Sequence, residues 1–348
     1  MSSLTEPAEP VTGGIDTHKD LNVAAVVDRV GRILGTKEFS TTSAGHRALL
    51  RWLRRHGDVV RVGIEGTGAY GAGIARFLAS QDIEIVEVDR PNRQLRRRRG
   101  KSDPVDAEAA ARAALNGEAT GTPKTRSGNV EAIRALRVAR RSALKARGQA
   151  SNQLYALVLT APDELRARLR GLPLGQLVET AARFRPGARN AALTGTKTAM
   201  TSIARRWQFL SSEIRDLDAQ LEELVGQTAP ELVARHGVGT DTAGALLVAV
   251  GDNPHRLRSE ASFAALCGVT PIEASSGQHQ RHRLNRGGDR TANNALWRIV
   301  LVRMAHDSKT RDYVLRRTTE GRSKKEIIRC LKRYVAREIY PDLLSLQQ

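Results

Sequence analysis

The sequence predicts a mixed α/β domain at the amino-terminal end, followed by a mainly helical remainder. Up to residue 120, short runs rich in valine and isoleucine alternate with turn residues and helical segments. Beyond that point, apolar residues recur at helical spacing over long stretches. At 348 residues the chain is long enough for two or more domains. We expect an α/β domain at 11–120, a helical coiled-coil region at 128–227 and a mainly helical domain at 228–345.

Three strands open the first domain, and short turns join them. The segments are TGGIDTHKD, LNVAAVVD and RILGTKEFS, with the turn DRVG between the last two. Strands that are joined by tight turns pair antiparallel. The first of these strands carries Asp16.

Helices and strands alternate through the rest of this domain. The segment AGHRALLRWLRRHG predicts a helix that begins after a Thr-Thr-Ser sequence and ends at a glycine. A fourth strand (VVRVGIE), a second helix (YGAGIARFLAS), a fifth strand (IEIVEVD) and a third helix from Asp103 follow. The order β-β-β-α-β-α-β-α predicts a mixed sheet covered by helices. It resembles the ribonuclease-H-like fold of the RuvC resolvases and of many transposases.

Four acidic residues fall where such a fold would bring them together. Asp16 lies in the first strand, Glu65 ends the fourth, and Asp103 and Asp106 share one face of the third helix. For the last two, helix capping is the plainer interpretation, because Asp103 precedes Pro104 in the N-cap position. However, four converging carboxylates repel one another unless a cation neutralises them. Since oxygen ligands suit magnesium and manganese, the set predicts a site for Mg²⁺ or Mn²⁺ that supports phosphoryl transfer.

The composition indicates a polyanionic partner. The chain has 56 lysines and arginines against 37 acidic residues, a formal net charge of +19, which is typical of proteins that bind nucleic acids. A basic run directly before the third helix is expected to bind phosphates near the acids: Arg93, Arg96, Arg97, Arg98, Arg99 and Lys101. Two cysteines make no disulfide framework and no apolar run could span a membrane, so we expect a cytoplasmic protein.

One motif supports a different function. The sequence GTGAYG at 66–71 matches the G-x-G-x-x-G pattern of dinucleotide-binding folds, and Glu87 and Asp89 lie about twenty residues further on. Against this interpretation, three antiparallel strands precede the motif and no second mononucleotide-binding half follows it. We expect these glycines to let the chain turn closely past Glu65 instead.

Two long helices are predicted in the middle region, at 130–158 and 200–226. The second has a heptad seam: Ile203, Trp207, Leu210, Ile214, Leu217, Leu221 and Leu224. Arg140 and Arg147 interrupt a looser seam in the first: Ile133, Leu136, Ala143, Ala150, Leu154 and Leu157. The pattern is compatible both with an antiparallel pair closed by an irregular segment at 160–195 and with an oligomer formed through the seam.

The last region combines a hairpin motif with a serine pair and clustered arginines. The sequence ARHGVGTDTAGALLVAVG resembles a helix-hairpin-helix element, in which backbone N–H groups bind phosphates. Ser275, Ser276 and Gly277 are expected in a loop, and a Ser-Ser-Gly sequence alone predicts only a turn. A serine can also act as a nucleophile where arginines offset the charge that develops on an attacked phosphate. The basic residues that follow the loop are Arg281, Arg283 and Arg286.

Taken as an ordered set, these motifs resemble the DEDD transposases of the IS110 insertion-sequence family. The amino-terminal part is GID…GIEGTGAYG…KSDPVDAEAAA, and the carboxy-terminal part is GVGTDTAGALLVAVG…FAALCGVTPIEASSG…NRGGDRTANNALW. The resemblance implies a RuvC-like domain, a coiled-coil middle and a transposase domain whose serine attacks DNA. By position, the nucleophile is the serine before the glycine, Ser276, with Ser275 as the alternative. The metal-binding acids that the resemblance implies are Asp16, Glu65, Asp103 and Asp106.

The resemblance also implies partners that the residues themselves do not reveal. Family members act as site-specific recombinases, and some are guided by a structured bridge RNA from their own element. The implied partners are therefore DNA, a guide RNA and further copies of the chain in a dimer or tetramer, in a bacterial, nucleoid-associated setting. Two other interpretations stay open: a RuvC-type resolvase or nuclease in which Ser276 is structural, and a noncatalytic nucleic-acid-binding protein.

Overall fold

The computed structural model describes residues 8–88, 102–185, 187 and 190–346, which form two compact units. The first unit runs to residue 126 and includes 250–258, and the second contains the remaining described residues. The boundary at 126 lies between the first two expected domains, 11–120 and 128–227. The finer division into three domains stays a prediction.

A five-stranded mixed sheet forms the centre of the first unit. Its strands are β1 Pro10–Thr17, β2 Leu21–Val27, β3 Ile33–Ser40, β4 Asp58–Glu65 and β5 Glu84–Val88, in the order β3-β2-β1-β4-β5. The first three strands pair antiparallel, whereas β1 with β4 and β4 with β5 pair parallel. The predictions of a mixed sheet and of β1 beside β4 are confirmed.

Helices cover both faces of this sheet. Helices α1 Ser43–Arg54 and α2 Ala72–Ala79 pack against one face, and α3 Asp103–Leu115 packs against the other, where Ala107 contacts Val23 and Ala25. Because successive residues of a strand point to opposite faces, the isoleucines of β1 and β4 point towards α1 and α2. The core on that side includes Ile15, Leu49, Leu53, Ile64, Ile74 and Leu78.

Two glycines let α3 approach the sheet at backbone distance. A Cβ atom at Gly14 would lie 2.2 Å from backbone atoms of α3, and one at Gly63 would lie 2.4 Å from a backbone oxygen of the same helix. Each glycine precedes an acid by two positions, in the sequences Gly-Ile-Asp and Gly-Ile-Glu, and so shares a face with it. The helix is therefore held against the face to which Asp16 and Glu65 belong.

The second unit is helical in its described residues, apart from one two-stranded sheet. None of its helices combines the length and the apolar character that a membrane span requires, and the same holds for the other described helices. The mainly helical remainder predicted from the sequence is confirmed. Its elements are α4 Gly128–Thr160, α5 Asp163–Leu169, α6 Leu174–Ala182, α7 Ala191–Thr228, α8 Pro230–Ala234, α9 Thr240–Val250, α10 Glu260–Leu266, β6 Ile272–Glu273, β7 His282–Arg283, α11 Arg290–His306, α12 Ser308–Thr319 and α13 Lys324–Leu344.

The long helices α4 and α7 form an antiparallel pair within the chain. Arg206 donates a hydrogen bond to Gln153 at 2.7 Å, and Arg147 donates one to Ser211 at 3.4 Å. Residues with lower numbers in α4 therefore contact residues with higher numbers in α7. Both long helices were predicted from the sequence. Whether the pair also joins copies of the chain stays a prediction.

The two arginines that interrupt the seam of α4 have partners across the helix pair. Arg140 forms an ion pair with Asp218, and the Arg147 guanidinium lies 5.5 Å above the centre of the Trp207 ring. Long cationic side chains can pack their stems against a helix surface while the charge meets an acid or an aromatic face. The interruptions are therefore compatible with the antiparallel pairing.

The described part of the connection between the long helices contains two helices, in place of the irregular segment that was expected. They are α5 and α6, which close a small core against the ends of α4 and α7. Irregular chain was expected here because these helices are short and separated by proline and glycine. The buried residues of this core include Leu154, Leu165, Leu169, Leu177, Met200 and Ala204.

One carboxylate connects α4, α9 and α11. The Asp241 carboxylate is 2.8 Å from Arg137 Nη1 and 3.4 Å from Arg140 Nη1, and it also pairs with Arg298. Burial by itself would raise the pKa of Asp241, but these arginines hold the pKa below the usual value of an aspartate. Along the chain, Asp241 comes after α8 and a turn at Gly237, which has a φ of +80°, and it lies in the first turn of α9. The helix-hairpin-helix element expected here and its DNA-binding role stay predictions.

Candidate active site

The ends of the two central parallel strands bring the first two acids to one edge of the sheet. Ile15 of β1 is paired with Ile64 of β4, so Asp16 and Glu65 are the next residues of neighbouring strands. The Thr17 hydroxyl donates a hydrogen bond to the Glu65 carbonyl oxygen at 2.8 Å. This bond fixes the two strand ends beside each other.

Helix α3 supplies the second pair of acids from its first turn. The helix begins at Asp103, and the cap position is taken by Ser102 in an extended conformation without a side-chain capping bond. The prediction that Asp103 is the N-cap is thus wrong by one position, since the proline is the second helical residue and not the first. Because α3 lies against Gly14, its first turn stands at the same sheet edge. Asp106 is only 3% exposed there.

A histidine that was not predicted from the sequence lies between two of the carboxylates. His18 Nε2 is 3.2 Å from Asp16 Oδ2 and 3.3 Å from Asp103 Oδ2. One ligand atom from each of these three side chains lies within 4.8 Å of the others, a grouping that could hold a metal ion. The signal in the sequence was Asp-Thr-His, which places the imidazole two residues after the acid at the end of a strand.

Burial and the neighbouring acids disfavour the charged form of Asp16 within the described residues. Burial raises the pKa of Asp16, His18 lowers it, and the nearby carboxylates of Asp106 and Asp103 raise it again, with a net increase. A buried acid beside two other acids gains most from a cation that offsets their repulsion. Together with the oxygen-rich set of ligands, this electrostatic situation fits a divalent metal ion.

The glycine motif after β4 serves the turn that follows Glu65. Gly66 has a φ of +75°, in the left-handed region that favours glycine. The N–H groups of Ala69 and Gly71 both donate to its carbonyl oxygen, at 3.0 and 3.2 Å. The chain thus turns tightly at the acid, as expected. The basic run predicted to lie beside the acids is outside the described residues: Arg93, Arg96, Arg97, Arg98, Arg99 and Lys101.

The serine pair lies in the loop that joins β6 to β7, which form a short β-hairpin in the second unit. Beyond β6 and β7, the Ser276 N–H donates to the His279 carbonyl oxygen at 3.2 Å, and the His279 N–H donates back at 3.1 Å. Gly277, with φ of +57°, follows directly in the turn. A two-residue turn with a positive φ suits a tight hairpin. Two-residue strands are too short to show an alternating pattern, which explains why the sequence did not reveal them.

The two serine hydroxyls have different surroundings. The Ser275 Oγ accepts a hydrogen bond from the Arg281 N–H at 3.1 Å and lies 3.4 Å from the Arg281 carbonyl oxygen, so it helps to hold the hairpin together. The Ser276 side chain is exposed, and within the described part of the chain its hydroxyl makes no hydrogen bond. Ser276 is therefore the serine with a hydroxyl available to a substrate.

The arginines predicted near the serine pair are also exposed. Arg281 directly precedes β7, Arg283 lies in this strand and Arg286 follows it. No carboxylate of the described residues forms an ion pair with any of them. Their charges remain available to an anionic ligand.

Two family models match the chain. The DEDD transposase model of IS110, described as a transposase, matches residues 13–161, and the model described as the transposase IS116/IS110/IS902 family matches residues 230–315. The first range contains all four predicted acids, and the second contains Ser276. The two ranges together cover more than half of the chain.

Two curated relatives agree with these models. The insertion element IS110 uncharacterized 43.6 kDa protein of Streptomyces coelicolor is 32% identical over 135 residues, which are 37% of this chain and 33% of that protein. The transposase for insertion sequence element IS1328 of Yersinia enterocolitica is 26% identical over 184 residues, 51% of each chain. The alignments thus span about a third and about half of the relatives' lengths. With both family models matched in order, the chain belongs to the IS110 family of transposases.

Proposed function

We propose that this chain is an insertion-sequence transposase that cleaves and exchanges DNA strands with Ser276 as its nucleophile. The observation that carries the proposal is the exposed Ser276 hydroxyl on a basic hairpin, in a family member that also has an acid cluster at a sheet edge. The strand order of the first unit supports a ribonuclease-H-like, RuvC-like fold. A bridge RNA and a dimer or tetramer are carried over from the resemblance as further expectations.

In the proposed reaction the Ser276 Oγ attacks a phosphorus atom of one DNA strand. An Oγ–P bond forms and the bond from phosphorus to the leaving deoxyribose oxygen breaks, which leaves a phosphoserine ester and a free DNA hydroxyl. The Oγ proton passes to a base, and the leaving oxygen takes up a proton. We assign the first proton to His279, which is paired with Ser276, because directly opposite residues of an antiparallel pair carry their side chains on one face. Attack of a DNA hydroxyl on the ester then reseals the strand and restores the serine.

The acid cluster contributes a cation site to this proposal. A bound Mg²⁺ or Mn²⁺ supplies positive charge to a phosphoryl group under attack. The chain's own part is to hold the ligands at fixed positions through the two strand ends and the close packing of α3. His18 is a further ligand candidate beside them. The carboxylates in this role are Asp16, Glu65, Asp103 and Asp106.

Trapping of a covalent protein–DNA adduct tests the assignment of the nucleophile. Wild type, Ser276→Ala and Ser275→Ala are incubated with DNA that carries element ends and a target, in the presence of magnesium, and then denatured. We expect the adduct in wild type and in Ser275→Ala, and none in Ser276→Ala, while far-UV circular dichroism shows all three folded.

Each opposite outcome favours another function or residue. An adduct in Ser276→Ala but not in Ser275→Ala moves the nucleophile by one position. Metal-dependent nicks without an adduct in any variant indicate the RuvC-type nuclease. Binding without cleavage indicates a noncatalytic nucleic-acid-binding protein.

A further inference from the structure

A basic cleft lies beside the hairpin that carries Ser276. Its volume is about 930 Å³, and its walls are the hairpin on one side and α13 on the other. No aspartate or glutamate is among its described lining residues. The basic residues that line it are Arg281, Arg283, Arg286, Arg329, Lys332 and Arg333.

Most of these cations have no carboxylate partner. Arg333 pairs with Glu260, but among the described residues no ion pair involves the other five. The Lys332 ammonium donates a hydrogen bond to the Asn293 side-chain oxygen at 2.9 Å. Burial lowers the pKa of Lys332, and the neighbouring charge of Arg329 lowers it further. Cations that crowd together in this way gain from an anion that enters between them.

The cleft also has groups that suit the uncharged parts of a nucleotide. Val269, Pro271 and Leu284 line it, and Tyr334, which is 50% exposed, stands at its wall. The Thr270 hydroxyl is buried there without a hydrogen-bond partner in the described structure, which leaves a donor for an entering group. Cations for phosphate beside an aromatic and apolar surface for sugar and base are the usual features of single-strand binding sites.

We propose that this cleft binds a phosphodiester segment of the DNA strand that Ser276 attacks. The identity of the strand rests on the proposed function. The hairpin that carries Ser276 also forms part of the cleft, since Ala274 lines the cleft and precedes Ser276 by two residues. Two residues of extended chain span about 7 Å, comparable with one or two nucleotides at a rise of about 3.4 Å along one strand. The bound segment thus lies within a few nucleotides of the attacked phosphorus.

The two cysteines of the chain provide a test that needs no catalysis. Cys330 lines the cleft, whereas Cys267 is buried and burial raises its pKa to about 12, so it serves as an unreactive internal control. The rate of Cys330 alkylation by a maleimide is measured by mass spectrometry in Ser276→Ala, with and without single-stranded DNA. We expect labelling to slow about tenfold at a DNA concentration of about ten times Kd, because only the free fraction reacts.

A matched pair of variants on α13 separates the cleft from general surface charge. Arg329 lines the cleft, and Arg337 is exposed on the same helix but does not line it. We expect Arg329→Gln to weaken binding of single-stranded DNA. The log–log salt slope should flatten by about 0.7 for each phosphate group that the variant no longer neutralises. Arg337→Gln should leave both quantities near wild type.

Three outcomes would overturn this inference. They are Cys330 labelling that DNA does not change, protection by RNA of the same sequence but not by DNA, and equal salt-slope changes in the two arginine variants. Protection of Cys330 by DNA, combined with no adduct in wild type, would support the cleft and reject Ser276 as the nucleophile. The two proposals can therefore fail independently.

Discussion

The acid cluster and the serine hairpin are built in opposite ways. Asp16 and Asp106 are buried, held by two strand ends and by a helix in backbone contact with the sheet. Ser276 stands at the end of a hairpin with two-residue strands, where a Cβ added at Gly277 would meet nothing within 4 Å. The difference agrees with the roles that we propose for the two sites. Metal ligands need fixed mutual distances, whereas a nucleophile for a large polymer needs access.

The largest expected effect on stability comes from Gly14→Ala, which tests how tightly the acid site is packed. The new methyl group would lie 2.2 Å from backbone atoms of α3, so the helix must move away from the sheet. We expect the free energy of unfolding of the first unit to fall by about 3 kcal/mol or more. Thermal unfolding and hydrogen exchange of β1 and α3 measure the loss.

Gly277→Ala is the matched change in the hairpin. Only its φ of +57° opposes the new side chain, because the surrounding space is open. We expect a local cost of about 1 kcal/mol, confined to the hairpin. Equal destabilisation by the two glycine variants would contradict the contrast between a packed acid site and an accessible serine.

Asp241→Asn tests a carboxylate that three arginines neutralise. Three arginines lose their shared anion, so we expect the second unit to lose about 1–3 kcal/mol at neutral pH. The folded-state pKa of Asp241 lies below its unfolded value, so the wild-type advantage is present above the unfolded pKa and is lost as pH falls through the folded one. Urea unfolding of both proteins at neutral and acidic pH measures the difference. A constant difference at all pH values would exclude this explanation.

Asp16→Asn is expected to raise the free energy of unfolding, whereas Asp241→Asn is expected to lower it. Burial and the neighbouring acids raise the pKa of Asp16, so its charged form destabilises the folded state. Without divalent ions, the variant should gain about 1 kcal/mol at neutral pH. The gain should vanish as pH falls through the folded-state pKa, because the wild-type group then takes up a proton. A loss of stability like that of Asp241→Asn would mean that the cluster is balanced by the protein itself.

The smallest effect is expected from Ser275→Ala. This variant removes the acceptor of the Arg281 N–H hydrogen bond, which contributes about 0.5–1 kcal/mol to the closed hairpin. Ser276→Ala should not change hairpin stability, since the Ser276 hydroxyl has no partner in the described structure. Hydrogen exchange of residues 274–281 compares the two. Faster exchange in Ser276→Ala than in Ser275→Ala would reverse the structural roles assigned to the serines.

The sheet and the positions of the four acids were predictable because each rests on a local pattern. Turn residues between valine-rich segments predicted the first strands, and the acids at a strand end and a helix start predicted the edge where Asp16 and Asp103 meet. The helix start itself was misplaced by one residue. A proline is accepted at either of the first two helical positions, so sequence alone does not separate them.

The remaining features depend on contacts between distant parts of the chain. The Asp-Thr-His sequence places His18 near Asp16, but it does not indicate that the imidazole also lies beside Asp103 of α3. The cleft joins Arg281 of the hairpin to Arg329 of α13, which are far apart in the sequence. Such sites are set by tertiary packing, which periodicity and motif spacing do not report.

The central claim is that the acids and Ser276 serve one reaction. The most direct test is to measure the yield of the covalent protein–DNA adduct with and without divalent ions. Asp103→Asn is the matched variant, because the Asp103 side chain is 47% exposed and its loss should leave the fold intact. We predict an adduct in wild type with magnesium, none after chelation, and none in Asp103→Asn although it still binds DNA. An adduct at wild-type yield in chelator or in Asp103→Asn would contradict the claim.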